Sequence, residues 1–225
     1  MRSMSGSCTS ASISSTRARC WRVVGQFQAS VDDVSLLEMW PADFRITVTY
    51  QLSGNSLAGD VYIENPDERV LPFGFGTHGY FKVPLGSGGT AAACQVTVPV
   101  SHVWDLDNLL PTGEKSVSPY SGPLREGLTI GHTQLDDVFS GLDFVNHKCT
   151  ARVLDPHSRR VVTLTFDDQC PHCVLFNPPH REAICIEPYT TVPDPYSLVE
   201  RGFDPSLRRL VPGEGMRTQF TIRLD

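Results

Sequence analysis

From Trp21 onward the chain repeatedly alternates apolar and polar positions with a period of two. Ile46, Val48, Tyr50 and Leu52 alternate with Thr47, Thr49 and Gln51. Ser53, Gly54 and Asn55 then supply turn chemistry before Leu57, Val61 and Ile63 resume the apolar series. A period of two puts alternate side chains on one face of a strand, so this stretch predicts a hairpin. The alternation returns at Val96, Val98 and Val100, over Val161 to Phe166, Cys173 to Phe176 and Ala183 to Ile186, and at Phe220, Ile222 and Leu224. Helical periodicity of similar strength is missing, and only Pro195 to Arg201 is expected to form a short helical turn. With 17 prolines and 18 glycines as punctuation, the pattern predicts an all-β chain, an antiparallel sandwich or a related architecture. No internal repeat or clear linker interrupts it, so 21–225 is expected to be a single domain.

The first 20 residues stand apart. They are rich in Ser, with Arg at 2, 17 and 19 and another just beyond at 22, and no acid occurs before Asp32. Transit peptides share that bias but need an amphipathic apolar face, which is thin here; a secretory signal would need an apolar centre. Residues 1–20 are therefore expected to be a disordered leader, and the protein cytoplasmic, with organellar import as the alternative.

Composition removes several classes of partner. The 225 residues can bury a substantial core, and 19 Lys and Arg against 25 Asp and Glu give a net charge of -6. Binding to nucleic acid relies on clustered cations, and no basic run exceeds a pair, so neither nucleic acid nor an anionic membrane is expected as a partner. No apolar stretch approaches the roughly 20 residues that span a bilayer. Seven cysteines, at 8, 20, 94, 149, 170, 173 and 185, are odd in number and scattered, which argues for reduced thiols in an intracellular protein. The lone pair Cys170 and Cys173 lacks the second pair of ligands a structural zinc site needs, and is expected to be a strand-entry turn with buried thiols. No metal and no cofactor is expected.

Three stretches carry candidate chemistry. Phe73 to Phe81 threads Gly74, Gly76 and Gly79 past His78, Tyr80 and Phe81. Glycine lets a backbone bend or a ligand approach closely, while an imidazole can exchange a proton near neutral pH and an aromatic face can cover the C–H surface of a sugar. Its structural alternative is a buried bulge with a satisfied histidine. Asp136 and Asp137 sit in the apolar frame of Leu135, Val138 and Phe139, and the ordinary reading is a turn or cap. Glu187 ends the run Ala183 to Ile186 ahead of Pro188, the placing of a general base on a rigid element or of a solvated strand end. Asp143, Asp155, Asp167 and Asp168 lie in turn-like surroundings and are taken as structural.

An ordered set of segments then resembles one family. Asn65-Pro66, Phe73 to Phe81, Pro111-Thr112-Gly113-Glu114, Leu135 to Phe139, Ile186-Glu187-Pro188-Tyr189-Thr190 with Pro193-Asp194, and Leu210-Val211-Pro212-Gly213-Glu214 together look like the aldose 1-epimerase (mutarotase) family over roughly Trp21 to Asp225. The resemblance implies a large antiparallel β-sandwich, the galactose mutarotase-like supersandwich. It implies His78 as the acid at the ring oxygen, Glu187 as the base at the anomeric hydroxyl, and Asp136, with Asp137 a weaker match, as a ligand of sugar hydroxyls. Tyr80 is the aromatic substrate-binding candidate. The substrate implied is a free aldohexose of glucose or galactose type, opened and reclosed without metal or nucleotide.

The family's first strands, with a sugar-binding arginine and a second histidine, have no counterpart here. Arg17 or Arg19 and Trp21 match the Arg and Trp that follow them, but Ser12, Ile13, Ser14, Ser15 and Thr16 precede. The expectation is a sandwich missing its first strands, with activity reduced or lost. A non-catalytic carbohydrate-binding module is the alternative function. A hexose-6-phosphate 1-epimerase is a further one, with Arg181 or Arg208-Arg209 as the candidate cations.

Overall fold

A computed structural model describes residues 20–131, 133–179 and 182–225. The leader as far as residue 19, including Arg17 and Arg19, and also Arg181, lies outside them. Among the described residues the strands are, in chain order, β1 (Cys20–Gln28), β2 (Arg45–Ser53), β3 (Ser56–Glu64), β4 (Leu71–Phe73), β5 (Gly79–Lys82), β6 (Gln95–Thr97), β7 (His102–Asp107), β8 (Leu110–Val117), β9 (Leu128–Thr129), β10 (Asp136–Ser140), β11 (Lys148–Asp155), β12 (Arg160–Asp167), β13 (His172–Phe176), β14 (Ala183–Tyr189), β15 (Arg208–Leu210) and β16 (Gly215–Leu224). Short helices occur at Ala29–Asp32, Ser121–Glu126 and Pro195–Glu200, the last where the sequence predicts one. No helix among the described residues is long and apolar enough to cross a membrane. The architecture is an antiparallel β-sandwich, in agreement with the period-two pattern.

Two compact units are distinguished, one running to Leu71 and including Leu210–Thr221, the other Pro72–Arg209 with Ile222–Asp225. In the first, β1, β2 and β3 form an antiparallel meander with β16 next to β3. The expected hairpin closes from Ser53 to Ser56, with Gly54 at φ +59°, a left-handed conformation that glycine adopts without strain. Gly59 leaves the space that the Phe220 ring fills, and that ring meets Tyr50 edge-on at 6.3 Å.

The second unit holds the strand order β12-β11-β6-β9 and a six-stranded antiparallel sheet, β5-β14-β13-β10-β7-β8. Along β11 and β12 burial alternates as predicted: Cys149, Ala151 and Val153 are buried, as are Val162, Leu164 and Phe166. The six-stranded sheet differs. Over Cys173 to Phe176 and Ala183 to Ile186 burial is nearly continuous, because strands covered on both faces need apolar or compact side chains at every position. One face carries Phe139, Cys173, Leu175, Ile184 and Ile186. All five are buried, so this face lies in the interior of the sandwich. The opposite face carries Val138 and Val174 in an apolar cluster with Trp104, Val192 and Leu198.

A buried amide fixes where β10 begins. Asn177, fully buried just beyond β13, accepts from Leu135 N at 2.6 Å, donates from Nδ2 to Thr133 O at 2.8 Å, and donates its backbone N–H to Leu135 O at 3.1 Å. These bonds hold 133–135 at the entrance to β10, and so place Asp136 at the strand's first position. Asn177→Ala strands one buried and one half-buried backbone group and is expected to lower the unfolding free energy by about 2 kcal/mol. Urea denaturation reads this directly; an unchanged midpoint and slope would show that the side chain carries none of the clamp.

Candidate active site

Strand register brings the predicted residues together. In the central ladder Asp136 pairs Phe176, Phe176 pairs Cys185, and Cys185 pairs Tyr80; one step along, Val138 is level with Val174 and Val174 with Glu187. Directly opposed residues share a face, and so do residues two apart on one strand. Asp136, Val138, Val174, Phe176, Cys185, Glu187 and Tyr189 therefore all belong to the face away from the sandwich interior. A cleft of about 280 Å³ opens there, lined by His78, Asp136, Glu187 and Tyr189 among apolar neighbours that include Leu106, Val174 and Phe176. A few convergent polar groups in an apolar pocket are the usual composition of a small-ligand site.

Glu187 is the centre of this arrangement. It is only 2% exposed, and it lies inside β14, not at a solvated end. Pro188 does not stop the strand. Its carbonyl accepts from Thr77 N at 3.2 Å on the side where β5 has already ended, so its missing donor faces a loop and costs no ladder bond. One carboxylate oxygen, Oε2, accepts the Tyr189 hydroxyl at 2.7 Å; the other, Oε1, meets His78 Nε2 at 3.3 Å. Burial holds the Glu187 carboxyl above its ordinary value; the Tyr189 hydrogen bond and the nearby His78 oppose that, and Asp136 adds to it. The same burial, with the adjacent carboxylate, drives the Tyr189 hydroxyl well above the usual tyrosine range.

His78 is half exposed, the opposite of a buried core histidine. Its ring stacks on Tyr80 with centroids 5.1 Å apart and planes 6° apart. The loop that delivers it is tied to the strand after Glu187: Thr190 N donates to Phe75 O, and Phe75 N to Thr190 Oγ1, each at 2.8 Å. Gly76 bridges Tyr189, and a Cβ on Gly76 would strike the Tyr189 ring, as one on Gly74 would strike the Thr191 methyl. The two glycines thus admit the protein's own strand at close range, not a ligand, which corrects one purpose suggested for them by sequence.

The aspartate pair is resolved by strand parity. Both residues lie on β10, not in a turn or cap. Asp136 is exposed on the cleft face, whereas Asp137 pairs Leu175 on the opposite face, accepts from Asp136 N at 3.3 Å, and is pushed up by burial. Tyr80 is 58% exposed and backs the His78 ring without lining the cleft. Arg208 donates to Gln169 O at 3.1 Å. Asp155 accepts from Ser158 and from His157 N, Asp143 pairs with Arg125 and Asp168 with His147, all in structural roles. Tyr189 and Cys185 went unassigned in the sequence reading. The signal for both was the spacing Cys185, Glu187, Tyr189, three alternate positions of a single strand, hidden by ending that strand at Pro188.

Comparisons with known proteins bear on the family and the fold. A sequence model of the family described as aldose 1-epimerase matches residues 14–223. Among solved structures, a galactose mutarotase-like protein from Clostridium acetobutylicum superposes with a TM-score of 0.79 at 21% identity, over 92% of this chain and 62% of that one. A galactose mutarotase related enzyme from Lactobacillus acidophilus gives 0.76 at 15%, over 91% and 68%. The aldose epimerase homologue from C. elegans gives 0.69 at 15%, over 92% and 65%. At these identities the likeness establishes the fold, and the chain spans about 62% of the length of the Clostridium protein.

The raised pKa of Glu187 has a measurable effect on folding. A carboxyl that binds its proton more tightly when folded adds stability that is fully present below its unfolded value, near 4.5, and is lost as pH rises through the folded value. Glu187→Gln is expected to remove that loss, so the Tm difference between wild type and variant changes across the window above 4.5. A difference that stays constant there would mean an ordinary carboxyl. Tyr189→Phe removes a donor to the charged form, and NMR titration of the Glu187 carboxyl carbon is expected to show a further rise.

Proposed function

We propose that this chain, which belongs to the aldose 1-epimerase family, interconverts the α and β anomers of a free aldohexose. The observation that carries the reading is the 3.3 Å approach of His78 Nε2 to Glu187 Oε1 at a cleft that also holds Asp136. The two oxygens that exchange protons in ring opening, the anomeric hydroxyl and the ring oxygen, are bonded to the same carbon. An acid and a base serving them must be neighbours, as these two are. Glu187 takes the proton from the anomeric hydroxyl, the C1–O bond to the ring oxygen breaks as the C1 carbonyl forms, and His78 supplies the proton that the ring oxygen acquires. Rotation about C1–C2 presents the other carbonyl face; His78 then withdraws its proton and Glu187 returns the one it took. Asp136 accepts from sugar hydroxyls at the cleft rim, and the apolar residues around it receive the C–H face.

Among the described residues the lining includes no Lys or Arg, which favours a neutral sugar over a hexose phosphate. Buried, free thiols at Cys94, Cys149, Cys173 and Cys185 support a cytoplasmic site of action. A second reading, a carbohydrate-binding module without turnover, needs only the cleft with Asp136 at it. Polarimetry of freshly dissolved α-D-glucose or α-D-galactose separates the two. Accelerated mutarotation is expected, reduced about 100- to 10,000-fold by Glu187→Gln and lost as pH falls through the raised Glu187 value, because the base must be ionised. Asp136→Ala is expected to raise KM more than it lowers kcat. Sugar binding without acceleration would establish the module instead.

A further inference from the structure

The same face carries a donor set that proton transfer does not use in full. Nε2 or Nδ1 of His78, Sγ of Cys185 and a carboxylate oxygen of Glu187 all lie within 4.8 Å of one another. Cys185 and Glu187 are alternate residues of β14, and Cys185 is level with Tyr80 of β5, next to the ring that stacks on His78. We infer that His78, Cys185 and Glu187 form a three-ligand site for a thiophilic divalent cation of the zinc class, and that its occupation switches the cleft off.

Geometry favours such an ion. Bonds of about 2.0–2.3 Å arranged tetrahedrally place donor atoms about 3.3–3.8 Å apart. The His78–Glu187 approach of 3.3 Å is already at that spacing, and the Cys185 thiol lies within 4.8 Å of both partners. One thiolate, one imidazole and one carboxylate suit zinc or cobalt, whereas magnesium and calcium require mainly oxygen ligands. Three protein ligands leave a fourth position open toward the cleft. The carboxylate is already oriented by a neighbour, since Tyr189 donates to Oε2 and leaves Oε1 for the metal, and the Cys185 thiol has the Tyr80 hydroxyl as a hydrogen-bond partner.

Binding stands on the donor set alone; the switch rests on the epimerase reading. A cation held by Glu187 Oε1 and the His78 imidazole occupies both lone pairs that would exchange protons with the sugar, so the metal competes with turnover. Cys185 contributes to this competition without touching the sugar in the proposed reaction.

Cobalt titration of the full, reduced chain tests the site without reference to activity. One equivalent of Co²⁺ is expected to produce a near-ultraviolet thiolate-to-cobalt absorption that Zn²⁺ abolishes. Cys185→Ser should remove the absorption, and both Cys185→Ser and His78→Ala should weaken zinc binding about 100-fold or more. His78 is half exposed, so its variant carries the test if the cysteine variant fails to fold. No absorption, or an absorption that survives both substitutions and so belongs to other thiols, would overturn the inference. In polarimetry, one equivalent of Zn²⁺ should suppress mutarotation by wild type, with a much smaller ratio of rates without and with zinc for Cys185→Ser. Stoichiometric cobalt binding by a chain with no mutarotation on any sugar sinks the epimerase reading and leaves the site; mutarotation without cobalt binding does the reverse.

Discussion

A carboxylate kept from water must be compensated within the protein, and much of the second unit can be read from that requirement at Glu187. Isolated burial would protonate the group outright or destabilise the fold. Tyr189 and His78 each engage one of its oxygens, and both depend on tertiary placement: Tyr189 on the strand continuing through Pro188, His78 on the tie between Phe75 and Thr190. Burial pushes the proton affinity of the carboxyl up, and the two partners oppose that push without cancelling it. A proton acceptor that must later return its proton needs that balance.

The six-stranded sheet separates structure from chemistry by parity. Phe139, Cys173, Leu175 and Ile186 turn toward the neighbouring sheet, while Val138, Val174, Cys185 and Glu187 turn toward the cleft. A register slip of one residue would exchange the two sets. It would bury Asp136 in the sandwich and expose the apolar packing face, so the buried core fixes the register on which the site depends. The amide of Asn177 adds a local lock at the strand carrying Asp136.

Much of the architecture was legible in the alternation of side chains, because sheets exposed on one side write their burial directly into sequence. The hairpin of β2 and β3 and strands β11 and β12 follow it, and the helical turn at Pro195 falls where the alternation stops. The central strands are less legible, since burial on both faces erases the alternation. His78, Asp136 and Glu187 were recognised as an ordered set of family segments, and the structure brings them to one cleft. What sequence hid was mostly long-range. Pro188 masked the continuation of β14, the adjacent aspartates could not be told apart without register, and Gly74 and Gly76 gave no hint that the space beside them belongs to Thr191 and Tyr189.

That last contact has a chemical consequence for a residue with no side chain. The Tyr189 ring rests where a Gly76 Cβ would stand, and the hydroxyl of that ring donates to Glu187. Any methyl or larger group at 76 must tilt the ring and draw the hydroxyl off the carboxylate, so the steric emptiness at Gly76 tunes the proton affinity of a group on another segment. The backbone there acts as a spacer that sets basicity, and drift at this position would change the chemistry before it changed the fold.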